Sequence, residues 1–212
     1  MNNFNITRLG KTIVNDLRRV WQNYGYSLLI LILMPAIFCL IYTFMPLLFG
    51  SEFNQASPWA RVVVLTITMV SLIVSCPNKV YGNLTDKRFG TDYLMLPAST
   101  LEKFISMVVV TAVIVPVVFF VGYMTVDALL SLVGLYKGGT LLAFIAKSPV
   151  MDNEYVTVNL WNAGYFSLAL NMLVFLLGAI YFKKGKTALT ILSLFAIAVV
   201  VSSALTFIAP HI

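Results

Sequence analysis

The sequence predicts an all-α integral membrane protein with about five transmembrane helices and, ahead of them, a basic amphipathic helix at the interface. Three observations carry that prediction. Of the 212 residues, 60% are hydrophobic and only 10% charged, against roughly 45–50% and about 25% in soluble domains, so lipid must solvate much of the chain. The apolar residues fall in long uncharged runs such as Tyr26–Phe49, and about 20 such residues suffice to cross the hydrocarbon. The runs are continuous rather than alternating, which argues against a β-barrel.

Residues 1–25 form the interfacial unit and 26–212 a single transmembrane domain. Within residues 4–22, Ile6, Leu9, Ile13, Leu17, Val20 and Trp21 share one helical face. Arg8, Lys11, Asn15, Arg18, Arg19 and Gln22 share the other. Basic residues opposite aliphatic ones suit a helix lying on an anionic surface; the alternative is a plain basic flank to the first span. That span covers about 26–49, with Pro35 expected to kink it and Pro46 near its far end. A polar turn over 50–58 leads to the second span, about 59–77. There Trp59 suits the interface and Arg61 is expected to snorkel outward. Ser71 and Ser75 form a small-xxx-small pair, the spacing that lets another helix approach.

The third span, about 104–126, contains Pro116 and ends at Asp127. Asp127 is read as sitting at the far interface, with a buried functional carboxylate as the alternative. Residues 134–160 make an external loop. Its apolar stretch Leu141–Ala146 is too short to cross, and Glu154–Leu160 alternates like a strand, so a small folded cap or an interfacial segment is expected. The fourth span, about 161–182, carries Asn171, which is expected to hydrogen-bond a neighbouring helix. Lys183, Lys184 and Lys186 lie in or next to the short turn before the fifth span, about 187–208.

The formal charge of +6 has an orientational explanation. In a five-span chain the N-terminus, the loop 78–103 and the lysine turn share one side. That side holds Arg8, Lys11, Arg18 and Arg19, then Lys79, Lys87, Arg88 and Lys103, then Lys183, Lys184 and Lys186. The other side holds only Arg61, Lys137 and Lys147. Basic residues in short loops mark the cytoplasmic face, so the N-terminus is expected inside and the C-terminus outside. No nucleic-acid-binding fold can be assembled from the polar stretches.

Cys39 and Cys76 fall at different depths on antiparallel helices and are expected to be two buried, reduced thiols. One histidine, His211, leaves no histidine-rich metal site and no plausible Ser-His-Asp arrangement. HExxH, CxxC and GxxxxGK[ST] are absent. No enzyme activity, cofactor or metal is expected of this chain, and any ATP would have to be bound by another one.

The stretch between the second and third spans differs from its surroundings. Residues 79–103 hold seven of the 22 charged residues. Ser99 and Glu102 read as a capping box that starts the third helix near Thr100. Upstream, Asn83–Tyr93 can hold a short helix broken by Gly90. Phe89, Tyr93, Leu94, Met95 and Leu96 are apolar groups among charges. Either they lie on the membrane interface or they fill a pocket on a partner, where aromatic residues beside arginine are common anchors.

The wording Tyr93-Leu94-Met95-Leu96-Pro97-Ala98-Ser99, then Glu102-Lys103-Phe104, is similar to the "LP-A/V-S … E-K" stretch of small bacterial permeases of the type 2 ABC transporter class. Leu177-Gly178-Ala179-Ile180-Tyr181-Phe182-Lys183-Lys184 also resembles a span end in that family. The layout resembles such an exporter membrane subunit along nearly the whole chain: a basic amphipathic helix first, then a cytoplasmic loop between spans two and three. It departs in having five spans rather than six.

The resemblance implies a permease subunit in a bacterial cytoplasmic membrane, paired as a homodimer or with a related permease, and coupled through residues 79–103 to a separate ABC ATPase. Asp86, Lys87, Arg88, Phe89, Asp92, Tyr93, Leu96, Glu102 and Lys103 are then the expected ATPase contacts, with the apolar Phe89, Tyr93 and Leu96 supplying most of the energy. Ser71, Ser75 and Asn171 are the expected helix-packing residues. The rival expectation is a non-transporting membrane scaffold or sensor that binds a soluble partner through the same loop.

Overall fold

A 43-residue helix, α1 (Ile6–Leu48), runs the length of the molecule. At about 1.5 Å per residue it is ~65 Å long, roughly twice the thickness of a hydrocarbon core. The computed structural model describes residues 5–49, 55–85, 90, 93, 95–136, 138–147, 151–153, 156–158 and 160–208.

The expected interfacial helix and first span are the two halves of α1, with no break between them. Residues 22–26 contain no proline, and their one glycine, Gly25, is covered by the ring of Trp21, so nothing there stops a helix. The buried stripe overlaps the expected face only in part: Val20 is buried and Ile13 and Leu17 pack against the core. Thr12, Asp16, Val20, Tyr24 and Leu28 follow at four-residue spacing and are all buried, whereas Ile6 and Trp21 face outward. Four-residue spacing lines residues up on one side of a helix, and this side meets the rest of the protein.

Helix α2 (Pro58–Tyr81) starts where Ser57 Oγ accepts the Ala60 N–H and Pro58 takes the first turn, a position where the missing proline N–H costs nothing. It continues past Pro77, beyond the expected end of the second span, because Cys76, Pro77, Val80 and Tyr81 are all buried. A 3₁₀ turn, Gly82–Thr85, follows.

The third span is one helical run from Thr100 to Leu132 with an irregular middle. Helix α3 (Thr100–Val109) passes into a π-helical segment, Val110–Ile114, and then into α4 (Val115–Leu132). Proline supplies no N–H, so Pro116 leaves the carbonyl four residues back without its usual donor. The chain absorbs this by widening one turn: the Val115 N–H reaches the carbonyl of Val110, five residues back.

Beyond α4 the chain folds a small cap, as the alternation of residues 154–160 led one to expect. It comprises α5 (Leu141–Lys147) and an antiparallel hairpin of β1 (Met151–Asn153) and β2 (Val156–Val158), with Met151 opposite Val158. Helix α6 (Leu160–Tyr181) is joined to α7 (Lys186–Ile208) by a turn through Gly185. The φ of +61° at Gly185 favours glycine.

In the bundle, α1 packs against α2, α3 and α4, α2 carries α6, and α7 lies along α6. The α6–α7 contact is closest at Gly178, where a Cβ would collide with Thr190 Oγ1. Elsewhere α7 is apolar and outward-facing, as at Leu192, Phe195 and Val200. Among the described residues, four helical segments are long and apolar enough to cross a membrane: Ile6–Pro46, Pro58–Tyr81, Thr100–Leu132 and Lys186–Ser203. Helix α6 contributes a shorter apolar stretch, Ser167–Tyr181. This architecture is compatible with a multi-pass membrane protein. Cys39 and Cys76 are both buried and unpaired, as the sequence led one to expect.

Candidate functional site at the base of the central loop

The N-terminal ends of α1 and α3 are tied by one carboxylate. Ser99 Oγ accepts the Glu102 N–H at 3.2 Å, and Glu102 Oε2 accepts the Ser99 N–H at 2.8 Å, which completes the expected capping box. The other oxygen, Glu102 Oε1, accepts the Asn5 N–H at 2.8 Å and stands 4.0 Å from Arg8 Nε. Asn5 Oδ1 in turn accepts the Thr7 N–H at 2.9 Å, the bond of an N-cap residue. Glu102 thus serves two helix N-termini, both of which favour negative charge. The Asn5 N–H, then the Ser99 N–H, hold its carboxyl below the ordinary 4.5. The side chain is covered yet lies near the protein edge, so desolvation opposes them less strongly.

A second tie lies deeper, where the four-residue stripe of α1 meets α3. Ser106 Oγ and Asp16 Oδ2 are 2.5 Å apart. The Tyr93 hydroxyl approaches the same oxygen at 3.5 Å and the Lys103 carbonyl at 3.4 Å. The Tyr93 ring is 3% exposed and lies under two cations: the Arg19 guanidinium at 4.8 Å and the Lys103 ammonium at 5.8 Å. Burial pushes the Asp16 carboxyl up from 3.8, opposed by the Ser106 bond, the Arg19 charge and the Tyr93 and Tyr81 hydroxyls. Tyr81 OH favours the charged carboxylate by proximity but does not reach hydrogen-bond geometry. About two turns further along α1, Tyr24 OH meets Ser75 Oγ at 2.7 Å, and Lys79 Nζ donates to Ser27 Oγ at 2.7 Å. Both bonds join α1 to α2.

The expected contact residues therefore divide. Asp86, Lys87, Arg88, Phe89 and Asp92 lie outside the described residues. Tyr93, Glu102 and Lys103 are buried within this chain, and Leu96 is half-buried against the core. Tyr93, Glu102 and Lys103 tie the loop to α1 and α3 within this chain. Gly90 is also buried, and a Cβ there would stand 2.5 Å from the Leu84 carbonyl oxygen. Leu84 and Gly90 thus bring the two ends of the charged segment together.

The expected packing residues divide as well. Ser75 does admit a neighbour, Tyr24 of α1, but Ser71 is exposed and bonds its own helix at Ile67 O. Asn171 faces outward, and its Nδ2 donates to Ser167 O at 2.8 Å and Ser167 Oγ at 3.3 Å, both in α6. Within this chain it locks no neighbouring helix, because an amide four residues from a serine satisfies itself locally.

At the opposite end, Arg61 does not snorkel outward, and Asp127 is a buried carboxylate. Both are 2% exposed, and Arg61 Nη1 reaches Asp127 Oδ1 at 3.1 Å and Oδ2 at 3.3 Å. The cap segment closes over them. Arg61 Nη2 donates to Gly139 O at 3.0 Å, Asp127 Oδ2 accepts the Leu141 N–H at 2.7 Å, and the Tyr136 ring stacks 4.6 Å from the guanidinium. Tyr136 OH continues to Pro35 O at 2.6 Å, so the cap is also tied to α1. A readable signal existed: one lone cation and one lone anion at matching depths of antiparallel helices. For Asp16 the signal was its place in the four-residue stripe with Thr12, Val20 and Tyr24.

Among the described residues, no three His, Cys, Asp or Glu side chains gather where a metal could sit. What the basic end can do is mechanical: it couples the central loop to the two longest helical runs through Glu102 and Tyr93. No protein-family model matches the chain, and neither a curated protein nor a solved structure is significantly similar to it.

Proposed function

We propose that this chain is the membrane-spanning subunit of an ATP-driven ABC-type exporter in a bacterial cytoplasmic membrane, moved by a separate ATPase that engages the central loop. The observation that carries the reading is the double tie of that loop to the N-terminal halves of α1 and α3, through Glu102–Asn5 and through Tyr93–Asp16–Ser106. A force applied to residues 86–92 would pass into helices that run on through the bilayer. In this reading α1, α2, the α3–α4 run, α6 and α7 make five spans, with the N-terminus and central loop in the cytoplasm and the C-terminus outside. Two permease copies, identical or related, enclose the path.

The test is purification from native membranes. The exporter reading expects a co-purifying ATPase whose turnover depends on this chain, and a dimeric permease in lipid nanodiscs. A soluble partner without ATPase activity on a monomeric chain would establish the scaffold or sensor instead. Topology is checked separately. Because Cys39 and Cys76 are buried, single cysteines introduced at Lys87 and Lys184 are expected to label only from the cytoplasm, and one at Asn153 only from outside. Cytoplasmic labelling at position 153 would refute the five-span arrangement.

A further inference from the structure

A polar cavity of about 540 Å³ opens between α1, α2 and the start of α7, lined by Gln22, Asn23, Asn78, Lys79, Gly82 and Lys186. Its size lies within the range of small-molecule sites. Two cations and three side-chain amides converge on it, and no carboxylate is among the lining residues. The lysines have structural partners: Lys79 Nζ donates to Ser27 Oγ, and Lys186 Nζ donates to the Gly82 carbonyl at the end of α2. An ammonium carries three N–H donors, so each lysine keeps two beyond the bond it makes. Capping the C-terminal end of α2 accounts for the Lys186 bond, and tying α2 to α1 accounts for the Lys79 bond. Neither role accounts for a cavity, nor for Gln22, Asn23 and Asn78 around it.

The position of the cavity along the helices narrows the ligand. In α1 the last charge is Arg19 and the apolar run begins just after Asn23, the uncharged run of α2 ends just before Lys79, and that of α7 begins just after Lys186. The cavity therefore sits where three helices change from apolar to charged, the level of lipid headgroups for a helix that crosses a bilayer. Basic pockets between helices at this level suit anionic headgroups. We infer that this cavity is a binding site for a phosphate-bearing anion, supplied by an anionic glycerophospholipid, with Lys79 and Lys186 contacting the phosphate and the amides of Gln22, Asn23 and Asn78 its remaining oxygens. Such a lipid would bridge α1, α2 and α7, the last of which packs mainly on α6. The inference does not depend on coupling to an ATPase.

The test uses the full chain in neutral detergent, with thermal unfolding followed against added dioctanoyl-phosphatidylglycerol, dioctanoyl-phosphatidylcholine or inorganic phosphate. Phosphatidylglycerol is expected to raise the midpoint, as any ligand of the folded state does, and phosphatidylcholine to raise it much less. Lys79→Gln with Lys186→Gln should increase the phosphatidylglycerol concentration needed by about 30-fold. The pair Lys183→Gln and Lys184→Gln, in the turn outside the cavity, should leave it unchanged. Asn23→Asp puts a carboxylate into the cavity without touching either lysine bond, and should weaken the response as well. It decides the matter alone if the lysine variant does not fold. If inorganic phosphate reproduces the rise with the same variant dependence, the site is confirmed and its source is soluble anion rather than lipid. An equal response to both lipids, or a phosphatidylglycerol response untouched by Asn23→Asp and by the lysine pair, overturns the inference.

Discussion

Asp127→Ala is expected to cost about 3–5 kcal/mol of stability, the range for breaking a buried ion pair from one side. The variant leaves the Arg61 guanidinium, 2% exposed, as an uncompensated buried charge, and removes the acceptor of the Leu141 N–H. Arg61→Ala should cost a similar amount for the converse reason. Joint replacement by Arg61→Met and Asp127→Leu should recover much of the loss, because apolar substitutes of similar volume often match a buried pair. It should not recover all of it, since Gly139 O and the Leu141 N–H would each lose a partner, and an orphaned buried polar group costs about 1–3 kcal/mol. Reversible unfolding in mixed micelles measures all four proteins. A loss below ~1 kcal/mol in either single variant would mean that water reaches the pair. Because the pair holds Gly139 and Leu141, limited proteolysis of Asp127→Ala should cut first within residues 134–147.

Tyr93→Ala is the second large effect, expected at about 3–5 kcal/mol, as for truncating a buried aromatic. The resemblance implies a different outcome: loss of an anchor on an ATPase, with the membrane part of the chain unaffected. The buried ring, close to both Arg19 and Lys103, makes the variant a defect of this chain first. Tyr93→Phe should cost only about 0.5–1.5 kcal/mol, because the hydroxyl contacts are long, at 3.4 and 3.5 Å, and the ring stays in place. Hydrogen exchange across residues 93–106 is the discriminating measurement. Faster exchange there in Tyr93→Ala, in the absence of any partner, is expected. Unchanged exchange with loss of ATPase binding would restore the anchor role. The effect of Phe89→Ala should then differ in kind from that of Tyr93→Ala, since the exporter reading assigns partner contact to the segment bracketed by Leu84 and Gly90.

Much of the helical layout was legible without coordinates. The capping box at Ser99 and Glu102, the strand-like Val156–Val158 and the unpaired cysteines all follow from the sequence. Where expectation and structure part, the residue is one whose neighbour is distant in sequence. Arg61 and Asp127 are 66 positions apart, and Asp16 and Ser106 are 90 apart. Asn171 fails in the opposite sense: the partner sought on another helix is a serine one turn away.

The division has a physical cause. Whether a run of residues prefers lipid to water, where a helix starts, and where proline disturbs it are properties of a residue and its near neighbours, so composition and spacing determine them. Which charged side chain is buried, and what compensates it, depends on two helices meeting at a common depth. That choice was made by the tertiary fold, which set Asp16 against Ser106 and Arg61 against Asp127, and turned Tyr93 inward to hold the loop that the sequence had marked as an outward contact.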